Sequence, residues 1–360
     1  MKHGALAVTL LLVACADKDA GPGRSAWSAL PNDHARYFSL LERNDERAVA
    51  VFGENGDTLL VIELSDATAR ERSKAFDRVA CLSTTYFPYL SALGLTDRVK
   101  AAVDLDQVRD TAAQDRIRKG LMSELSSADG VDRERLLAAE VGIAFDYPFG
   151  KGGRSMQVLN TKVVPVTEYL EVHPLGRAEW LRFFGVLFGV ERKADSLYST
   201  IAERYTRVVV ADTSNRPTVV FGSYWQGQWF VPSGNSYMAR LITDAGGRYL
   251  FSDHRGAGNI TLDLESMLSV AEHADHWGMV AKVDGQATVS DMTTGDDRLM
   301  RMKAVEENGL FICNTARSDF FGAAILEPDV LLQDLRWIFR EPEMDTALLP
   351  RYFERIRSRP

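Results

Sequence analysis

The sequence predicts an α/β protein with two Rossmann-like lobes joined by a single long connecting helix. Three observations carry that prediction. From residue 78 short strand-like runs alternate with helical ones, at residues 168–213 two helical patterns follow each other directly, and from residue 214 the alternation resumes. Strands alternating with helices at this spacing imply parallel pairing through helical crossovers. The chain has 360 residues, 46% hydrophobic and 26% charged. That is the composition of a globular protein long enough for two domains.

The first fifteen residues, "MKHGALAVTLLLVAC", place a positive charge at Lys2, an apolar run from Ala5 to Val13, and small Ala14 before Cys15. The run is too short to cross about 30 Å of hydrocarbon, so residues 1–14 read as an export signal. "Leu12-Val13-Ala14-Cys15" resembles the bacterial lipoprotein box, which implies lipidation at Cys15 and attachment to a membrane. Residues 15–35 then read as a polar tether.

Residues 36–64 hold two β-favouring runs, "RAVAVFG" and "TLLVIEL", around the turn "ENGD"; they are expected to form an added edge hairpin on the first lobe (36–167). In that lobe "RVACL", "RVKAAV", "VGIAF" and "KVVPV" read as strands, and "PYLSALG" and "RERLLAAE" as helices. His173-Pro174 starts the connecting segment, since proline at the first helical position lacks only an N–H that would have no partner. Trp180, Leu181, Phe183, Phe184, Leu187 and Phe188 cover most of the first helix, so it is expected to be buried. Beyond Gly189, Ala194, Leu197, Tyr198, Ile201, Tyr205 and Val208 form one apolar stripe of a second helix, which near 30 Å in length reaches from lobe to lobe. The second lobe (214–360) reads "PTVVFG", "HWGMVAKV" and "GLFICN" as strands between helices, with a terminal helix after residue 345.

Four segments taken in order resemble the helical-backbone class of substrate-binding proteins, which serve ATP-driven importers of ferric siderophores and vitamin B12. They are "RVACLSTTYFPYLSALGLTDRVKAA", "VVPVTEYLEVHPLGRAEWLRFFGVLFG", "PTVVFGSYWQGQWFVPSGNSYMARLITDAGGRYLF" and "DFFGAAILEPDVLLQDLRWIF". Together they cover most of residues 78–340. The segment "DLDQVRDTAAQDRIRKGLMSEL" is richer in charge than that family's pattern. The resemblance implies a lipid-anchored receptor of the cell envelope, expected to act as a monomer, that captures a ferric siderophore or a corrinoid between its lobes. It would deliver this ligand to an ABC permease and its ATPase. It implies no resident cofactor; chelated iron or cobalt would arrive with the ligand.

Ligands of open α/β sheets bind beyond the carboxyl ends of the strands. The strand-end loops "STTY", "DYPFGKGGR", "SYWQGQWF" and "NTARSDFF" therefore become candidate walls of an interlobe cleft. They supply Tyr86, Tyr147, Phe149, Arg154, Tyr224, Trp225, Trp229, Arg317, Phe320 and Phe321. Aromatic faces with a few cations suit a large, flat ligand carrying negative charge. Arg177 is added because a cation in the first turn of a helix opposes the dipole and so calls for a specific partner. Ser83, Thr84 and Thr85 are read mainly as helix caps. Glu265, in "LDLESM", matches the position that the family's second lobe offers to its permease.

A formal net charge of −8 argues against nucleic acid, whose phosphates need clustered Lys and Arg. Cys81 and Cys313 end strand-like runs in different lobes and are expected to be buried free thiols. A rival reading is an envelope metal-dependent hydrolase. However, no H-E-x-x-H, G-x-S-x-G or phosphate-binding loop occurs, and His273 and His276 need not share a face. No metal site is expected.

Overall fold

The computed structural model describes residues 27–44, 46–64, 76–128, 130–148, 158, 160–211, 214–256, 258–340 and 350–356. Residues 1–26, with the signal segment and Cys15, and residues 149–157, with Phe149 and Arg154, lie outside them.

The described chain opens with an antiparallel meander of β1 (Ser28–Leu30), β2 (Phe38–Arg43), β3 (Glu46–Phe52) and β4 (Thr58–Leu64), paired in that order. The predicted hairpin is β3–β4, but it belongs to a separate four-stranded sheet and does not extend the sheet of the first lobe. Phe38 on β2 sets its ring edge-on to Trp180 at 5.0 Å and Phe183 at 5.8 Å, so the meander packs on the connecting segment instead.

Residues 28–35, expected as tether, are also structured. The Glu179 carboxylate accepts the backbone N–H groups of Asp33 (2.8 Å), His34 (2.7 Å) and Ala35 (2.7 Å). Glu171 accepts those of Arg36 (2.9 Å) and Tyr37 (3.0 Å) and the Trp180 indole N–H (3.2 Å). Two buried carboxylates satisfied by N–H groups that would otherwise be orphaned hold this strand entry in place.

The first lobe contains β5 (Val79–Cys81), α1 (Phe87–Leu93), β6 (Val99–Ala102), α2 (Thr111–Arg118), β7 (Ser123–Glu124), the small ladder β8 (Ser126–Ser127) and β9 (Gly130–Val131), α3 (Arg133–Ala138), β10 (Ile143–Asp146) and β11 (Lys162–Pro165). Its main sheet is ordered β11-β10-β5-β6-β7 with every pair parallel. This is the doubly wound arrangement that alternating strands and helices predict.

The connecting segment is two helices back to back, α4 (Pro174–Phe188) and α5 (Glu191–Val208). His173 caps α4, its Nδ1 accepting the Leu175 N–H at 3.1 Å, and Pro174 fills the first helical position. Gly189, at φ 71°, takes the left-handed turn that ends α4 and lets α5 fold back. Both helices expected over 168–213 are present, and the pair, more than the second helix by itself, joins the lobes, because both members touch both lobes. Arg177 on α4 accepts the Tyr89 hydroxyl at its carbonyl and places its guanidinium 3.9 Å over the Tyr237 ring of the second lobe. Arg204 on α5 pairs with Asp329 of the second lobe at 2.8 Å, while Lys193 lies beside Gly94 of the first. As expected, α4 is buried on nearly every face. Phe184 stacks on Tyr89 at 5.0 Å and meets Phe145 edge-on at 4.9 Å. Removing such a ring costs about 3–5 kcal/mol.

The second lobe runs β12 (Thr218–Phe221), β13 (Ser223–Trp225), β14 (Gln228–Pro232), α6 (Tyr237–Asp244), β15 (Arg248–Tyr249), β16 (Asn259–Asp263), α7 (Leu264–Ala271), β17 (His276–Ala281), α8 (Val289–Thr293), α9 (Lys303–Glu306), β18 (Leu310–Asn314), α10 (Pro328–Phe339) and β19 (Glu354–Arg355). The main sheet is ordered β15-β12-β17-β18-β19, parallel except for β19. β13, β14 and β16 form a separate antiparallel sheet. A terminal helix is not found among the described residues: 350–356 run extended, and β19 pairs antiparallel with β18. The Asp334 carboxylate accepts the N–H groups of Arg351, Tyr352 and Phe353 and anchors this segment on α10.

Cys81 ends β5 and Cys313 lies in β18. Both are free and buried, and burial pushes both thiols up, Cys313 to about 12.

Candidate functional site

A cavity of about 880 Å³ lies between the lobes, at the upper end of the range for solute pockets. Parallel strands direct their carboxyl ends to one side, and the loops leaving them form the walls. From the first lobe come Ser83, Thr84 and Thr85 after β5, the run Asp106–Thr111 after β6, and Tyr147 after β10. From the second come Lys282 after β17 and Thr315, Ser318, Asp319 and Phe321 after β18. Leu181, Leu197, Thr200, Ile201 and Arg204 of the helix pair also line it, and Arg351 enters from the C-terminal strand segment.

Ser83 does cap the turn that follows, its hydroxyl accepting the Thr85 N–H at 3.3 Å, and all three hydroxyl residues also face the chamber. Thr85 donates from Oγ1 to Glu168 Oε1 at 2.8 Å. Glu168 lies fully buried after β11. Burial pushes its carboxyl up to about 7, against the Thr85 hydrogen bond and the nearby Arg177 charge. Its Oε2 and the Arg177 Nε have no hydrogen-bond partner.

Across the chamber, Arg109 donates from Nη2 to the carbonyls of Thr315 (3.0 Å) and Ala316 (2.7 Å). The charged segment after β6 thus reaches the second lobe directly.

The candidate residues separate by location. Tyr147 lines the chamber, its ring edge-on to Tyr169 at 4.7 Å. Tyr86 does not: the short turn before α1 rolls it into the core, where its hydroxyl donates to the Asp146 carbonyl at 2.9 Å. Arg177 is a strut between the lobes, donating to the Tyr169 carbonyl at 3.1 Å and covering Tyr237, and is not among the lining residues.

The loop expected at 223–230 is a hairpin. Gln226 and Gly227 both have positive φ, 50° and 81°, the two-residue turn whose twist suits paired strands. Alternation along β14 buries Trp229 completely against Trp277 at 4.9 Å. Tyr224 is half-buried beside it, and Trp225 stands 61% exposed at the hairpin tip, outside the chamber wall. Arg317 points away and pairs with Glu354 at 3.4 Å. Phe320 packs edge-on to Phe353 at 6.2 Å, and its neighbour Phe321, 57% exposed, is the ring that faces the chamber. Glu265 is exposed in the first turn of α7.

The residues that sequence reasoning missed are Arg109 with its neighbours, the α5 face and Arg351. The strand-end rule could have found the first, since "DLDQVRD" directly follows β6. Among the described residues no cluster of three or more His, Cys, Asp or Glu is placed to hold a metal ion. No described helix is long and apolar enough to cross a membrane.

A family model described as periplasmic binding protein matches residues 79–316. An uncharacterised lipoprotein of Methanocaldococcus jannaschii is 25% identical over 226 residues, which are 61% of this chain and 53% of the relative. The chain thus spans about half the length of that relative. Among solved structures, a periplasmic heme-binding protein of Pseudomonas aeruginosa aligns with a TM-score of 0.61 at 15% identity, covering 79% of this chain and 99% of the other. A protein of an ABC-type Fe3+-hydroxamate transport system from Saccharomonospora viridis aligns with a TM-score of 0.57 at 16% identity, covering 73% and 93%. At these identities the structures share the fold.

Proposed function

The chain belongs to the periplasmic binding protein family, a family of solute-binding proteins, and from that premise we propose that it is the receptor of an ATP-driven importer for a ferric siderophore. The observation that carries the reading is the chamber of about 880 Å³ enclosed by strand-end loops of two facing α/β lobes. It is large enough for a chelate that brings its own iron. The structural neighbours whose names mention heme and Fe3+-hydroxamate transport support an iron-bearing ligand.

Function follows from shape in this reading. The solute is captured between the lobes, and the helix pair limits how far they separate, since no two-strand hinge concentrates the change in a few dihedrals. Docking on a permease then opens the chamber. The exposed carboxylate of Glu265 is the second-lobe contact we propose for that step, and lipidation at Cys15 would hold the receptor at the membrane.

The test is calorimetric titration of the full chain carrying Cys15→Ser with ferric hydroxamates, catecholates and carboxylates, cyanocobalamin and haem. Saturable micromolar binding of a ferric chelate, weakened at least tenfold by Tyr147→Ala with Phe321→Ala, supports the reading. Binding of cyanocobalamin alone replaces it with a corrinoid receptor, and no binding across the panel sinks it.

A further inference from the structure

We infer that the chamber selects a solute with no net charge, rich in hydroxyl and amide groups, and discriminates against polyanions. This rests on the receptor reading above and deepens it.

The described lining carries as many cations as carboxylates, and almost every one already has a protein partner. Arg204 pairs with Asp329 at 2.8 Å, and Arg351 with Glu327 at 2.8 Å. Arg109 spends its Nη2 on two carbonyls across the cleft. Asp110 accepts the Ala113 N–H at 2.8 Å as the cap of α2, and Asp319 accepts the Ala323 N–H at 2.8 Å. Lys282 and Asp106 remain, one of each sign and both exposed.

Among the described lining residues, with Arg204 and Arg351 each paired to a carboxylate, a polyanion would meet Lys282 and Arg109 against Asp106, Asp110 and Asp319, so the like charge it meets exceeds the opposite charge and its lost hydration is not fully replaced. A neutral polar solute meets a better match. Ten described lining side chains carry a hydroxyl or a carboxamide, and each of these can both donate and accept. Phe321 and Tyr147 add apolar faces at the wall.

The experiment compares two ferric chelates of similar size on the full chain carrying Cys15→Ser: a neutral trihydroxamate and a trianionic tris-catecholate. Calorimetry should show the neutral complex binding at least tenfold tighter, about 1.4 kcal/mol. Asp106→Lys should narrow that ratio severalfold. A tris-catecholate that binds equally or more tightly, or a ratio that Asp106→Lys leaves unchanged, overturns the charge inference while the receptor reading stands. If neither chelate binds, and none of the wider panel does, both fall together.

Discussion

Arg109 of the first lobe donates to the Thr315 carbonyl of the second at 3.0 Å, and to that of Ala316 at 2.7 Å. These hydrogen bonds close the chamber from the side of the strand-end loops, opposite in role to the helix pair. They come from a charged donor, the stronger kind, yet Arg109 is exposed, so water competes for them and the tie is breakable.

Arg109→Ala should therefore loosen the lobes without unfolding them. With Cys15→Ser and spin labels at Glu134 and Glu265, exposed positions in opposite lobes, pulsed dipolar spectroscopy should show the interlobe distance lengthened or broadened by more than about 2 Å. An unchanged distribution would mean that the helix pair alone sets the separation.

Stability should carry a pH signature from Glu168. Its folded-state carboxyl sits at about 7 because it is buried, above the ordinary value of about 4.3. Between these two values the folded protein binds more protons than the unfolded chain, so Glu168 lowers stability as pH rises from about 4.5 to 7. His173 acts in the opposite sense: burial first, then the neighbouring His34, lower it to about 4, so its contribution rises over pH 4 to 6.5. The two are separated by comparing Glu168→Gln with the parent in urea at several pH values. The variant's relative stability should climb by about 2.5 kcal/mol from pH 5 to 7.5, and a flat difference would assign the slope elsewhere.

The buried carboxylate of Glu179 holds three consecutive N–H groups and the Arg182 guanidinium at 2.8 Å. Glu179→Ala leaves all of them without this acceptor. Unfolding free energy should fall by about 3 kcal/mol or more, and residues 28–37 should become the earliest site of limited proteolysis. Cleavage beginning in the second lobe instead would show that the clamp is not what holds this segment.

Gly278 on β17 lies under the Phe311 ring, where an added Cβ would sit 2.1 Å from Cζ. Neither strand can retreat without breaking the parallel pair β17–β18. Gly278→Ala should lower the urea midpoint by the equivalent of about 1–3 kcal/mol, whereas Trp225→Ala at the exposed hairpin tip should stay within about 0.5 kcal/mol. Equal effects would contradict the burial assigned to the two sites.

The aromatic residues show how far local pattern reaches. Trp229 and Trp225 lie four residues apart in a run rich in Gly and polar residues, and strand alternation alone does not say which of them faces inward. Pairing β14 between β13 and β16 decided it, sending Trp229 to Trp277 and Trp225 to solvent. Phe320 and Phe321 pose the same problem, resolved by packing against Phe353, just before β19 and more than thirty residues away.

The alternation of strands and helices, the start of α4 at Pro174, its turn at Gly189 and the strand ends facing the chamber were legible in the residue order. These depend on residue period, capping and backbone dihedrals, which act over a few neighbours. It took the folded chain to clamp residues 28–35 with Glu171 and Glu179, to bring both connecting helices into contact with both lobes, and to place Arg109 and Arg351 at the chamber. Those outcomes depend on which distant groups find each other when buried N–H groups and carboxylates must be satisfied, and no local pattern records that choice.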